Sequence, residues 1–319
     1  MRGRRILAPA GGVGGGKLAR GLAAVLPPDE MTLVVNTADD FVHLGLHICP
    51  DIDSVLYALA DLNDPERGWG LAGETWHFMA AMERLNGETW FRLGDRDLAT
   101  HVLRTQELKT GKSLSDVCAI IARRLGIAHR VMPMSDDPVR SIVETDEGPL
   151  DFQDWFVRRQ CKPAFRGVTF QGAADARPSA AFREALDEAD AVVLTPSNPF
   201  VSIDPILALL GVREALRRPG RPVVAVSPIV GGHAVKGPLA NMLRELGHEP
   251  TALSVAQHYG PLVDGWIVDN VDIGLVPAIE RLGHQVRVCN TMMHTLDDKR
   301  ALAQDALELV LELSAVQVS

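Results

Sequence analysis

An apolar opening run passes directly into Gly11-Gly12-Val13-Gly14-Gly15-Gly16-Lys17, and from there into an amphipathic pattern. Glycine turns tightly and lets the backbone approach a ligand with no Cβ in the way. A helix that begins at such a turn aims free N–H groups and the positive end of its dipole at whatever docks there. The stretch therefore predicts a strand–loop–helix unit that cradles phosphate, with the helix running from Lys17 to Leu26. Two known patterns fit it in part. Gly11 to Lys17 matches the G-x-x-x-x-G-K of a P-loop, but Leu18 stands where a magnesium-binding Ser or Thr belongs. Gly14-x-Gly16-x-x-Ala19 matches the dinucleotide fingerprint. Asp39 and Asp40 follow at about the 20-residue distance at which an acid holds a ribose. A ligand-free structural turn is the plainer alternative, but so many glycines would weaken it. A nucleotide is implied; a reaction is not.

Composition narrows the partners. The 319 residues are 46% hydrophobic and 23% charged, which suits one large α/β domain with an insertion, or two domains. The net charge of -9 argues against general nucleic-acid binding. An anionic substrate then needs local positive charge, for which Lys17, Arg96 and Lys236 are candidates. Cys49, Cys118, Cys161 and Cys289 share no C-x-x-C spacing, which favours reduced thiols in the cytoplasm. No apolar run reaches membrane-spanning length. Met1-Arg2-Gly3-Arg4-Arg5 is basic, but a strand and glycines follow it instead of a signal-peptide apolar region.

The rest of the chain keeps an α/β rhythm. Arg5–Pro9 and the β-branched run Met31–Val35 read as buried parallel strands. Ile52–Leu59 reads as a helix with Asp51 as its N-cap. Residues 64–125 are mainly helical and tryptophan-rich, and 131–172 suggest a small β-containing insertion. Further strands are expected at Ala191–Leu194, Pro222–Val226, Trp266–Val268 and Gln285–Val288, before a closing helix over Thr295–Ser314. The expected architecture is a Rossmann-like, doubly wound, mostly parallel sheet. Residues 1–60 and 185–319 form its core, and 61–184 an insertion that completes the acceptor site.

Polar loops follow four of these strands: the glycine run, Asn36-Thr37-Ala38-Asp39-Asp40, Thr195-Pro196-Ser197-Asn198-Pro199 and Ser227-Pro228-Ile229-Val230-Gly231-Gly232. In a doubly wound sheet such loops converge on one crevice. Asp40 and Asp53 are candidate magnesium or substrate ligands, because magnesium takes one or two carboxylates plus phosphate oxygens. Ser135-Asp136-Asp137-Pro138 fits either a turn or a substrate contact. His101 is a candidate base, although a structurally bonded histidine is the commoner case. His43, His47, His233, His258 and His294 share no zinc spacing, so no zinc site is expected. The tryptophans are read as core, with stacking on a flat aromatic ligand as the alternative.

In order and spacing, these motifs resemble the 2-phospho-L-lactate transferase family of deazaflavin coenzyme F-420 biosynthesis. Gly11-Gly12-Val13-Gly14 with Lys17-Leu18, Asn36–Asp40 and Pro50-Asp51-Ile52-Asp53-Ser54-Val55-Leu56-Tyr57 carry the first part. Leu93-Gly94-Asp95-Arg96-Asp97 with Ala99-Thr100-His101, Met132–Val139, Phe152-Gln153-Asp154, Pro196–Pro199, Val226–Ile229 and Lys236-Gly237-Pro238 carry the rest. The resemblance implies transfer of a phospho-carboxylate unit from a guanosine diphospho conjugate to the ribityl hydroxyl of the deazaflavin Fo, releasing GMP. The unit would be phospholactate, phosphoenolpyruvate or phosphoglycerate. It further implies Mg2+ near Asp40 and Asp53, Fo contacts from Asp53 and Arg96, and a homodimer. Gly11, Gly12, Gly14, Lys17, Asn36, Thr37, Asp95, Ser135, Asp136, Ser197, Asn198, Ser227, Pro228 and Lys236 become the expected substrate-binding set, with Asp53, Arg96 and Asp40 catalytic. Asp53 is the expected group to orient or deprotonate the attacking hydroxyl. The nearest rival is a regulator of the gluconeogenesis-factor type, which binds nucleotide sugars. That family would carry Gly-Gly-Ser-Ser-Gly after the paired aspartates, where this chain has Phe41-Val42-His43-Leu44-Gly45. A nicotinamide-dependent dehydrogenase would leave Pro50–Asp53 and Gly94–Asp97 unexplained.

Overall fold

The strands at the centre of the main sheet are short and apolar because both of their faces are covered. The computed structural model describes residues 3–316, so Met1 and Arg2 of the basic opening lie outside the described residues. Strand β1 (Ile6–Ala10) pairs in parallel with β2 (Met31–Val35), Ile6 opposite Met31 and Ala10 opposite Val35. A hairpin of β3 (Phe41–His43) and β4 (Leu46–Ile48) follows, then β5 (Arg130–Pro133). Strands β6 (Arg140–Thr145), β7 (Gly148–Asp151) and β8 (Phe165–Gln171) form a separate antiparallel sheet. Next come β9 (Ala191–Leu194), β10 (Val223–Val226), the two-residue strands β11 (Ile229–Val230) and β12 (His233–Ala234), β13 (Gly265–Asp269) and β14 (Gln285–Cys289). The central sheet has seven strands in the order β14-β13-β10-β9-β1-β2-β5, all paired in parallel.

Side chains alternate across this sheet. Leu7, Val34, Val192, Leu194, Ala225, Trp266 and Val268 enter one core. Their neighbours Ile6, Ala8, Leu33, Val35, Val193, Val224 and Ile267 enter the other. From β1 the chain winds outward through β2 to β5, and on the other side through β9 to β14. The order reverses between β1 and β9, and a ligand crevice is expected at the carboxyl ends there.

Three sequence expectations need correction. Helix α1 spans Gly12–Val25, so the glycines are its first turns and not a loop before it. Gly11 is its extended N-cap, and Gly12 takes φ +61°, a left-handed conformation suited to glycine. A Cβ at Gly14 would lie 2.4 Å from the Pro196 carbonyl oxygen, so close packing as well as ligand access selects glycine. Second, Cys49 is the N-cap of α2 (Pro50–Leu59), and Asp51 lies inside the first turn with its carboxylate bonded elsewhere. Third, segment 61–184 is not wholly outside the core, because β5 forms the edge of the central sheet beside β2.

Within that segment lie α3 (His77–Arg84), α4 (Asp97–Lys109) and α5 (Leu114–Arg124). Helix α1 packs against α2 and the C-terminal helix Leu296–Val316. A Cβ at Gly21 would sit 2.1 Å from the Lys299 carbonyl oxygen of that last helix. Gly21→Ala should therefore destabilise the fold by about 1–3 kcal/mol, outweighing the ~1 kcal/mol helix-propensity gain of alanine. Thermal unfolding of the variant at or above the wild-type midpoint would contradict this packing. Among the described residues, no helix is long and apolar enough to cross a membrane.

Candidate active site

The carboxyl ends of β1, β2, β9, β10 and β14 open into one cavity of about 580 Å³. Gly11, Gly12, Gly14 and Lys17 line it at the start of α1, with Pro196, Ser197 and Asn198 after β9 and Ser227 and Pro228 after β10. Lys236 closes over this side, its ammonium donating to the Arg67 carbonyl at 2.7 Å. Trp90, Phe91, Phe152 and Phe156 add aromatic faces to the lining. The expected convergence of strand-end loops is thus present. The Ser197 and Ser227 hydroxyls mainly build their loops. Ser197 accepts from the Gly11 N–H at 3.0 Å and donates to the Gly11 carbonyl at 2.7 Å. Ser227 donates to the Ile229 carbonyl at 2.8 Å.

Asp39 and Asp51 face this cavity from the end of β2 and the first turn of α2. The buried Asn36 amide donates to both, at 3.1 and 3.0 Å. Among the described residues neither carboxylate pairs with a cation, and Asp39 Oδ1 is buried without a partner. Burial, followed by the Asp51 charge, pushes Asp39 well above the usual carboxylate range. Burial also raises Asp51, to about 6, against the hydrogen bond from Asn36. Two close, oxygen-only donors that lack a counter-charge suit magnesium completed by phosphate oxygens.

The raised values carry a sign for stability. Between the unfolded Asp value of about 4 and the folded Asp51 value of about 6, the native state binds the extra proton. Metal-free protein should therefore lose stability as pH rises through that window, by at most about 1.4 kcal/mol per pH unit for this group. Thermal midpoints across pH 4 to 7 check the slope; a midpoint rising steadily through pH 6 would contradict it.

A second group links α2 to α4. Both Arg104 guanidinium nitrogens bond Asp53, one of them to Oδ2 at 3.1 Å. Arg104 is 1% exposed. Although burial opposes its charge, Asp53 holds the guanidinium firmly protonated. Burial raises Asp53 above the ordinary range in spite of the Arg104 charge. Arg104 also bonds His101 Nδ1 at 3.3 Å, which assigns that nitrogen as the acceptor and turns Nε2–H toward Asp97 Oδ2, also 3.3 Å away. Tyr57 donates to the other Asp97 oxygen. Burial works against the Asp97 charge, but the His101 and Tyr57 bonds prevail and lower its pKa. Asp53 and Tyr57 are i, i+4 on α2, while Asp97, His101 and Arg104 share one face of α4. Asp53, Tyr57, Asp97 and His101 all line the cavity.

Several expected residues lie elsewhere. Asn36 and Thr37 are buried behind the cavity wall and are not among its lining residues, so Asn36 acts through Asp39 and Asp51. Arg96 is exposed; its backbone N–H bonds Glu74 and its guanidinium the Ala72 carbonyl. Asp95 accepts from Thr75 and from the N–H groups of His77 and Phe78 at the start of α3. Ser135 donates to the Arg177 carbonyl, and exposed Asp136 accepts from Ser115. The stretch around Gly94-Asp95-Arg96 therefore supports the site from outside. Asp40 and Asp53 fall into different clusters, Asp40 with His47 and Cys49, and Asp53 with Asp97 and His101. Asp53 already has a bonded counter-charge in Arg104.

Arg67 and Arg92 supply cavity charge that the sequence reading missed. Both stack on Trp76, with guanidinium carbons 5.0 and 4.3 Å from a ring centroid. Basic residues among the tryptophans of segment 64–92 were the available signal.

Residues 6–308 match the family model described as 2-phospho-L-lactate transferase CofD. A phosphoenolpyruvate transferase of Streptomyces griseus is 42% identical over 317 residues, covering 98% of this chain and 100% of that protein. One from Kitasatospora aureofaciens is 44% identical, covering 96% and 97%. A 2-phospho-L-lactate transferase of Methanosarcina mazei is 38% identical, covering 92% and 97%. A crystal structure of a UPF0052-family protein from Bacillus halodurans has a TM-score of 0.63 at 16% identity, covering 96% and 99%. That last likeness concerns the fold alone.

Proposed function

The chain belongs to the 2-phospho-L-lactate transferase CofD family, and from that premise we propose that it transfers a phospho-carboxylate unit from a guanosine diphospho conjugate to the ribityl hydroxyl of the deazaflavin Fo, releasing GMP, in coenzyme F-420 biosynthesis. The observation that carries this reading is one cavity whose lining combines a helix N-terminus, uncompensated carboxylates and aromatic side chains. The diphosphate would lie over Gly11–Gly14 and near Lys17 and Lys236, and the flat deazaflavin against Trp90, Phe91 and Phe152.

In the transfer, the hydroxyl oxygen bonds to the phosphorus of the departing unit while the bond to GMP breaks. The hydroxyl proton passes to a base, for which Asp53 is the candidate. Burial raises its basicity, and Arg104 fixes its orientation. Asp39 and Asp51 would hold Mg2+, which offsets charge developing on the phosphate oxygens. Relatives named for phosphoenolpyruvate, at 42% and 44% identity against 38% for the phospholactate enzyme, favour phosphoenolpyruvate as the unit. We also expect a cytoplasmic homodimer.

The test is incubation of purified protein with Fo, magnesium and each guanosine conjugate, with mass spectrometry for GMP and the coupled deazaflavin. Product should form fastest from the phosphoenolpyruvyl donor. Folded protein that yields no product from any of the three donors would overturn the reading.

A further inference from the structure

The hairpin between β2 and α2 contains a polar cluster with no part in the transfer just described. Asp40 follows β2, His47 lies on β4 and Cys49 caps α2, so ten residues of chain supply three different donor atoms. One atom from each lies within 4.8 Å of the other two. His47 Nε2 stands 3.6 Å from Asp40 Oδ2, too far for a good hydrogen bond. Among the described residues, neither Asp40 oxygen has a hydrogen-bond partner, and neither does His47 Nε2, although all three atoms are buried. The Asp40 side chain is only 9% exposed. Buried polar atoms are rarely left unpaired, and here unpaired atoms of two residues cluster with a buried thiol.

We propose that Asp40, His47 and Cys49 form a site for a thiophilic divalent cation of the zinc class, distinct from the magnesium-type pair Asp39 and Asp51. A carboxylate, imidazole and thiolate set suits zinc, whereas magnesium prefers oxygen alone. Tetrahedral zinc with bonds of about 2.0–2.3 Å spaces its ligand atoms about 3.3–3.7 Å apart. The side chains therefore need to close by about 1 Å at most. Their backbone is already fixed. The His47 N–H donates to Thr105 Oγ1 at 2.8 Å, and its carbonyl accepts from Arg104 at 3.3 Å. His47 is 31% exposed, which gives the ion an approach and leaves a fourth position for water. Arg104 is the opposing charge nearby, and it is paired with Asp53. Histidine spacing concealed the site because it uses one ligand of each kind, as Asp-x6-His-x-Cys.

Cobalt(II) is the probe. Titrating the metal-free, full-length chain in saturating magnesium should produce a thiolate-to-cobalt charge-transfer band that saturates at one equivalent and is displaced by zinc. Cys49→Ser should lose the band while keeping the wild-type circular dichroism. His47→Gln should weaken cobalt binding by about tenfold or more. No band in the wild type overturns the proposal. So does a band that persists in Cys49→Ser, which would arise from Cys118, Cys161 or Cys289. If Cys49→Ser does not fold, His47→Gln decides, and unchanged cobalt affinity there overturns the site. The readout is spectroscopic, so failure of the proposed transfer reaction would not be mistaken for failure of this site.

Discussion

Asp53→Asn should lower kcat for transfer by about 10²–10⁴-fold, the range that a positioned general base supplies. The donor KM should change little, because the proposed donor position lies against the glycine run, Lys17 and the loops after β9 and β10, which also line the cavity. Asparagine keeps the size and one acceptor oxygen, so the side chain still fits between Arg104 and the cavity. It cannot accept the hydroxyl proton. Saturating magnesium should not restore the rate, since Asp39 and Asp51 form a separate carboxylate pair. Steady-state kinetics with each substrate varied, on protein with wild-type circular dichroism, measure the split. A kcat within threefold of wild type would remove Asp53 from the base role. A loss confined to KM for Fo would make it a binding group instead.

The sheet was legible because periodicity and burial agree in it. Ile6–Ala10, Met31–Val35 and Ala191–Leu194 are apolar runs covered on both faces, and their carboxyl-end loops do meet. The start of α1 was misjudged, since glycine's poor helix propensity argues for a loop. Tertiary contact overrides propensity there, because Pro196 approaches too closely for a Cβ at Gly14 and Ser54 crowds the position of Gly16. Among the acids, sequence could gather Asp39, Asp40, Asp51 and Asp53 but could not assign their partners. Which carboxylate pairs with a guanidinium and which stays uncompensated depends on Arg104, which lies 51 residues from Asp53 in sequence. Asp95 and Arg96 show the converse. They belong to the matched motif, yet their bonds serve the start of α3 and the loop at Ala72.

Arg104→Met should destabilise the fold by about 3–5 kcal/mol at pH 8, because it leaves Asp53 buried without its counter-charge. Methionine approximates the arginine stem in volume, so lost packing contributes the smaller share. The cost should shrink in acid. Without Arg104 the Asp53 pKa rises further, and protonation then removes the buried charge. A group whose folded pKa is raised contributes stability below its unfolded value, and loses it as pH climbs through the folded value. The gap between variant and wild type should therefore be widest at pH 8 and narrow toward pH 5. The double variant Asp53→Asn/Arg104→Met removes both charges and should recover most of the loss, since replacing both members of a buried pair is far cheaper than breaking it. Denaturant unfolding of the wild type, both single variants and the double variant gives the coupling energy directly. Additive losses in that cycle, or a pH-independent cost for Arg104→Met, would show that Arg104 matters through packing and that the charge of Asp53 is balanced by some other group.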